Sequence, residues 1–232
     1  MRIAILEDDR AQAAFVSQTL TDAGHICHAF TTGRALIKEL KKETFDLLVL
    51  DWMVPDQSGE EVLRWVRQSL PEHVPVLFMT NRGAETDIAS ILNAGADDYV
   101  VKPVAGVVLR ARVKSLLRRV YPETAPSSTE VFGDVEFNLK LKEVAVSGTL
   151  VPLMQKEFEL ALLLFQHMSR PLSRAYIMDV IWKQSIDITS RKVDTHVSAL
   201  RAKLKLRPEN GYRLMPIYGY GYRLEKIEKS DT

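Results

Sequence analysis

Five short apolar runs, at 2–6, 25–30, 46–50, 75–79 and 96–101, restrict this chain to very few folds. The segments between them, 10–23, 34–41, 60–69 and 85–93, space apolar residues as helices do, and Gly24 and Gly95 supply stops. A last helix is expected over 106–119. Leu47 to Leu50 is unbroken by any polar residue, as in a strand covered on both faces. Strand and helix alternating five times predict an α/β domain: a five-stranded, doubly wound parallel sheet with helices on both faces.

Parallel strands bring all their carboxyl ends to one edge, where open α/β sheets place their chemistry. Four of the five runs finish there on polar groups: Glu7 and Asp8, Asp51, Thr80 and Lys102. Alone, Asp51 reads first as a cap or turn residue. Together, three carboxylates repel unless a hard cation lies among them, which points to a Mg²⁺ site with oxygen ligands. Lys102 and Thr80 at the same mouth suit an added phosphoryl group, so Asp51 becomes a candidate nucleophile with Lys102 holding a phosphoryl oxygen. The plainer alternative is an acidic cluster salt-bridged by Lys102 to Asp8 and Asp51. An aspartate-nucleophile phosphatase is disfavoured, because it needs an acid two residues after the nucleophile and Met53 stands there.

With Gly95-Ala96-Asp97-Asp98-Tyr99 added to these landmarks, residues 1–120 resemble the receiver domain of two-component response regulators. The resemblance implies that a sensor histidine kinase donates phosphate to Asp51. It also implies Mg²⁺ held by Asp8, Asp51 and the Met53 carbonyl, with Glu7 acting through water, and a cis bond before Pro103. Thr80 and Tyr99 would form the switch. Asn81, where relatives carry a small residue, is expected to obstruct attacking water or small phosphodonors, and so to slow self-dephosphorylation. The receiver dimer face would hold Ile88, Asp97, Asp98, Val107, Val108, Arg112, Arg118 and Arg119. Here Ile88 and Val108 replace a customary ion pair with apolar surface, which leaves open a regulator that dimerises without phosphorylation.

Residues 121–129, rich in Pro, Ser and Thr, are expected to be a linker. Beyond it, short alternating runs around a Ser147-Gly148 turn predict an antiparallel sheet over 131–153, followed by helices at 154–168, 174–182 and 191–204. A hairpin follows around Gly219-Tyr220-Gly221. Between 191 and 213 lie seven cations (Arg191, Lys192, Arg201, Lys203, Lys205, Arg207, Arg213) against Asp194 and Glu209, a surplus that suits a polyanionic partner and equally a solvated helix face. A basic third helix before a glycine-cornered hairpin fits a major-groove helix with a β-wing. Residues 130–226 resemble the winged-helix effector domain of OmpR/PhoB regulators, through Lys156-Glu157-Phe158, Ser173-Arg174, the 191–201 helix and Gly219-Tyr220-Gly221-Tyr222-Arg223. The resemblance implies phosphate contacts from Arg191, Lys192 and Arg201, base-proximal Thr195, Ser198 and Ala199, and a wing residue, Tyr218, where relatives carry arginine. His196 is expected to pack between helices. Residues 227–232 form a tail.

Composition agrees: 46% hydrophobic and 26% charged residues with a net charge of +1 describe an ordinary globular protein. A single cysteine, Cys27, fits a reducing compartment, and no apolar run is long enough to span a membrane. The expectation is a cytoplasmic homodimer on double-stranded promoter DNA, with RNA polymerase a candidate partner.

Overall fold

The computed structural model describes residues 1–70, 73–121, 128–182 and 190–227. The chain forms two compact units, Met1–Glu123 and Thr124–Thr232.

The first unit is a parallel sheet in the order β2-β1-β3-β4-β5. Its strands are β1 (Arg2–Leu6), β2 (Ile26–Phe30), β3 (Leu47–Leu50), β4 (Val76–Thr80) and β5 (Asp98–Val101). The intervening helices are α1 (Arg10–Thr21), α2 (Gly33–Leu40), α3 (Gly59–Ser69), α4 (Glu85–Asn93) and α5 (Gly106–Val120). Alternate residues of one strand point to opposite faces. Ile3, Ile5, Leu47, Val49, Leu77 and Met79 therefore pack with Val16 and Leu20 of α1 and Leu109, Val113 and Leu116 of α5. Ala4, Leu6, Leu48, Leu50, Val76 and Phe78 enter a second core with Leu36, Val62, Val66 and Ile91 of α2, α3 and α4. Two full cores explain why Leu47 to Leu50, buried throughout, carry no polar interruption. Because β1, β3, β4 and β5 are neighbours, their carboxyl ends meet.

In the second unit, β6 (Thr129–Phe132), β7 (Val135–Asn138), β8 (Glu143–Val146) and β9 (Thr149–Val151) form an antiparallel meander. Ser147 and Gly148, at φ 49° and 77°, make the β8–β9 turn. Helices α6 (Gln155–Gln166), α7 (Arg174–Trp182) and α8 (Ser190–Lys203) follow, and β11 (Tyr212–Ile217) with β12 (Gly221–Lys226) makes the hairpin. Val193, Val197 and Leu200 on α8's inner face, with Leu204 just past its end, enter a core built around Phe137, Phe158 and Phe165.

Several expected bounds shift. The strand expected to reach residue 153 ends at Val151, and α6 starts at Gln155 because Met154 is its cap, its N–H donating to Glu157 Oε2 at 2.8 Å. Thr129, expected in the linker, already pairs with Asn138 in β6. Tyr121 N–H donates to Leu117 O and Ser128 O accepts from Leu139 N–H, while linker residues 122–127 and tail residues 228–232 lie outside the described residues. Sequence gave no sign of β10 (Leu172–Ser173), which joins the hairpin through Tyr222 and Gly221. A two-residue strand has no period to detect.

Candidate functional site

Two strand ends, those of β1 and β3, bring Glu7, Asp8 and Asp51 together, with a carboxylate oxygen from each within 4.8 Å of the others. Glu7 and Asp51 are buried, whereas Asp8 opens to solvent. Lys102, delivered by β5, donates through Nζ to Glu7 Oε2 at 2.6 Å and Asp51 Oδ2 at 2.7 Å. The alternative salt-bridged cluster thus exists, but Lys102 binds Glu7 in place of Asp8. One ammonium facing three carboxylates leaves net negative charge. Burial pushes the Glu7 carboxyl above its ordinary value; the hydrogen bond and charge of Lys102 oppose this, and Asp51 adds to it. The Lys102–Pro103 bond is cis.

The loop after β3 is tightly held. Gly59 N–H donates to Trp52 O at 2.9 Å, and a Cβ at Gly59 would stand 2.0 Å from the Asp51 carbonyl oxygen. Asp56 in this loop accepts from the N–H groups of Gly33 and Arg34, capping α2. Met53 N–H approaches Asp51 Oδ1 at 3.4 Å. Thr80 is buried, and its Oγ1 accepts from Arg82 N–H at 3.4 Å. Sequence reasoning passed over Arg82, whose guanidinium lies 4.8 Å above the Trp52 ring and 3.8 Å from Met53 Sδ. A cation two residues past Thr80 and an aromatic directly after Asp51 were the available signals. Asn81 lines a cavity of about 460 Å³ with Phe15, Lys102 and Val104. Tyr99 is buried, its hydroxyl without a hydrogen-bond partner among the described residues, and burial raises its phenol.

The expected dimer-face residues do not all face outward. Val107 and Val108 are exposed, and with Asp98, Ala111, Arg112, Ser115 and Arg119 they border a depression of about 390 Å³. Ile88 is instead half-buried against the second core, because its side of α4 packs on the sheet. Asp97 accepts from Arg67 at 2.7 Å and from Val76 N–H at 2.8 Å, and meets His73 at 2.6 Å. It is therefore occupied within its own unit. Asp98 pairs with Arg112 at 2.9 Å.

On α8, Arg191, Lys192, Thr195 and Ser198 are exposed and Ala199 is half-buried. Arg201 spends Nε and Nη2 on Leu214 O, which ties α8 to β11. Asp194 accepts from Arg174 Nε at 2.9 Å and Tyr222 hydroxyl at 2.6 Å, tying α8 to β12. His196 packs edge-on to Trp182 with ring centres 5.2 Å apart, as a helix-packing residue should. Tyr218 at the hairpin tip is fully exposed.

Residues 3–114 match the response regulator receiver domain, and 148–224 match the C-terminal domain of transcriptional regulatory proteins. The transcriptional regulatory protein AfsQ1 of Streptomyces coelicolor is 34% identical over 96% of this chain and 97% of its own length. The phosphate regulon regulatory protein PhoB of Rhizobium meliloti is 35% identical over 97% and 98%. The chain belongs to the OmpR/PhoB family of response regulators. This regulator is accordingly a DNA-binding protein of a two-component system, with a receiver followed by a transcription-regulatory domain. Its family is one of transcriptional regulators, and receivers of this kind typically bind Mg²⁺ at the acidic pocket that Glu7, Asp8 and Asp51 form here. The solved OmpR/PhoB homologue DrrB of Thermotoga maritima is similar at 29% identity over 97% of this regulator and 98% of that chain, with a TM-score of 0.47. Among the described residues, no helix is long and apolar enough to cross a membrane.

Proposed function

We propose that Asp51 accepts a phosphoryl group from the phosphohistidine of a sensor kinase, and that the phosphorylated chain dimerises and binds tandem half-sites in promoter DNA in the cytoplasm. The carrying observation is Lys102 Nζ lying within 2.7 Å of both Glu7 and Asp51 in a buried, net-negative pocket. In the transfer, an Asp51 carboxylate oxygen forms the new P–O bond as the P–N bond to histidine breaks, and the imidazole departs with its electron pair. Lys102 then stabilises the charge arriving on the phosphoryl oxygens. Thr80 hydroxyl donates to the same group, and Tyr99 follows as the second switch residue.

The hard oxygen donors fit Mg²⁺: Asp8, Asp51 and the Met53 carbonyl would hold it, with Glu7 acting through water. When bound, the ion supplies neutralisation of charge on the acceptor and the transferred group. Incubation with a phosphorylated sensor histidine kinase should phosphorylate the wild type and leave Asp51→Asn unmodified; phosphorylation of Asp51→Asn would sink the assignment.

For DNA, Arg191 and Lys192 take phosphates, Arg201 adds its remaining amino group, and Thr195, Ser198 and Ala199 lie nearest the bases. Tyr218 contacts DNA from the wing. The receiver dimerises through the face bearing Val107, Val108, Asp98, Arg112, Arg118 and Arg119. The exposure of Val107 and Val108, 64% and 42%, favours a second reading in which apolar contact pairs receivers without phosphorylation. Size-exclusion of Asp51→Asn decides between them: dimers at micromolar concentration support the second, monomers the first.

A further inference from the structure

Arg82 bridges the two loops that border the acidic pocket. It follows the end of β4 by two residues, and its backbone N–H donates to Thr80 Oγ1 at 3.4 Å. Its guanidinium lies 4.8 Å above the ring of Trp52, a buried indole that also meets Phe78 edge-on with ring centres 5.7 Å apart. Arg82 Nη2 reaches Met53 Sδ at 3.8 Å, while the carboxylate of Asp87 stands 3.9 Å from Nη1. A half-exposed ion pair at that distance holds a side chain weakly. The guanidinium is therefore held chiefly by an aromatic face and a thioether, both on the loop after Asp51. In that loop Asp51 O is packed against Gly59, where a Cβ would stand 2.0 Å away, and Trp52 O is taken by Gly59 N–H at 2.9 Å. Met53 O, the next along, accepts no hydrogen bond among the described residues. Met53 itself is held at two points, its N–H 3.4 Å from Asp51 Oδ1 and its Sδ beside Arg82.

We infer that Arg82 is a positioning residue for the metal ion, clasping Trp52 and Met53 so that the Met53 carbonyl is fixed for ligation. This inference rests on the Mg²⁺ reading proposed above. Charge alone argues the reverse. A cation beside a net-negative pocket repels a divalent ion, so its removal should tighten metal binding. Groups that orient a ligand without touching the ion commonly contribute about 10–100-fold in affinity, so loss of the clasp should weaken binding. The sign of the change separates the two.

The test uses the full chain with Mn²⁺ as the probe, a hard ion suited to the same oxygen donors. Binding is read from loss of the free-ion electron paramagnetic resonance signal, and Mg²⁺ then displaces the bound ion. Arg82→Ala should weaken both ions about tenfold. Arg82→Lys keeps the charge but not the planar face, and should weaken them nearly as much. The Thr80 contact is made by the backbone and survives both changes, so these variants read the guanidinium alone. In a Trp52→Leu background, Arg82→Ala should change affinity by less than about twofold, because the clasp has already lost its seat. Ile91→Val, which trims the core beneath α4, should lower the urea midpoint in chelator at least as much as Arg82→Ala does, yet leave metal affinity unchanged. Affinity in Arg82→Ala equal to or above that of the wild type would overturn the inference and leave the metal site intact. Equal weakening by Ile91→Val would also overturn it, by showing that affinity merely follows stability. If Asp51→Asn binds both ions as tightly as the wild type, the metal lies elsewhere, and the Mg²⁺ reading falls together with the inference.

Discussion

Each half of the molecule buries one glutamate 2.6 Å from a lysine, Glu7 with Lys102 and Glu157 with Lys203. Bond length does not distinguish the pairs, yet they behave oppositely. Burial pushes Glu7 up, and Lys102 does not bring it back. Burial also pushes Glu157 up, but the Lys203 hydrogen bond and Met154 N–H hold it below the ordinary carboxylate value. The difference lies in what each lysine must serve. Lys203 answers one carboxylate, which a helix N-terminus also supports. Lys102 is divided between Glu7 and Asp51, with Asp8 beside them. The effector pair is electrically closed and structural; the receiver pair is short of positive charge and open to a further cation.

Substitutions can break this contrast. Asp51→Asn should abolish phosphorylation completely, while Lys203→Met leaves it unchanged; phosphate retained by the first variant on an intact-protein mass spectrum refutes the contrast outright. Lys102→Met, which strands two buried carboxylates, should destabilise the receiver by about 3 kcal/mol in chelator. Saturating Mg²⁺ should recover most of this, since ligand at a hundredfold its Kd contributes about 2.7 kcal/mol. Lys203→Met should cost the effector domain only about 1–2 kcal/mol, because its lysine is partly solvated, and Mg²⁺ should restore none of it. Urea unfolding followed by Trp182 for the effector and by Trp52 and Trp65 for the receiver separates the two.

Acid–base linkage sharpens the contrast further. Glu157 titrates lower folded than unfolded, so its stabilisation is full above the ordinary glutamate range and is lost as pH falls through the depressed value. Glu7 titrates higher folded, so its contribution is full below that range and is lost as pH rises through the raised value. Over the window just above the ordinary value, receiver stability should therefore fall with rising pH, and Glu7→Gln should flatten that slope. A receiver slope unaffected by Glu7→Gln would remove Glu7 from the account. The smallest effect expected is kinetic: Asn81→Ala should shorten the lifetime of the phosphorylated receiver several-fold, read as the decay of phosphoprotein on a mobility-shift gel. Slower decay would contradict the shielding role of Asn81.

Much of this was legible because it rests on period and position. Leu47 to Leu50 had to lie inside a sheet, and Asp51 at its end had to meet Asp8 and Lys102 once the strands ran parallel. The apolar stripe of Val193, Val197, Leu200 and Leu204 likewise fixed which face of α8 turned outward. Choice of partner was less legible, because several groups of one type compete for the same neighbour. Lys102 took Glu7 over Asp8, Asp97 was claimed by Arg67 and His73, and Arg201 was claimed by a backbone carbonyl. Ile88 turned inward because an apolar residue on a helix facing a sheet gains more from the core than from solvent. The Arg82–Trp52 stack joins two loops, and loops carry no periodicity.

The contact between Gly59 and the Asp51 carbonyl makes the segment from 51 to 59 a closed ring with the phosphoacceptor at one end. In such a ring the number of residues is itself a working dimension, as much as any side chain. An added residue at the wing tip would lengthen a projection, whereas an added residue between Pro55 and Ser58 would be transmitted around the ring as displacement of the carboxylate. This loop should thus tolerate changes in composition where side chains face solvent, but not changes in length.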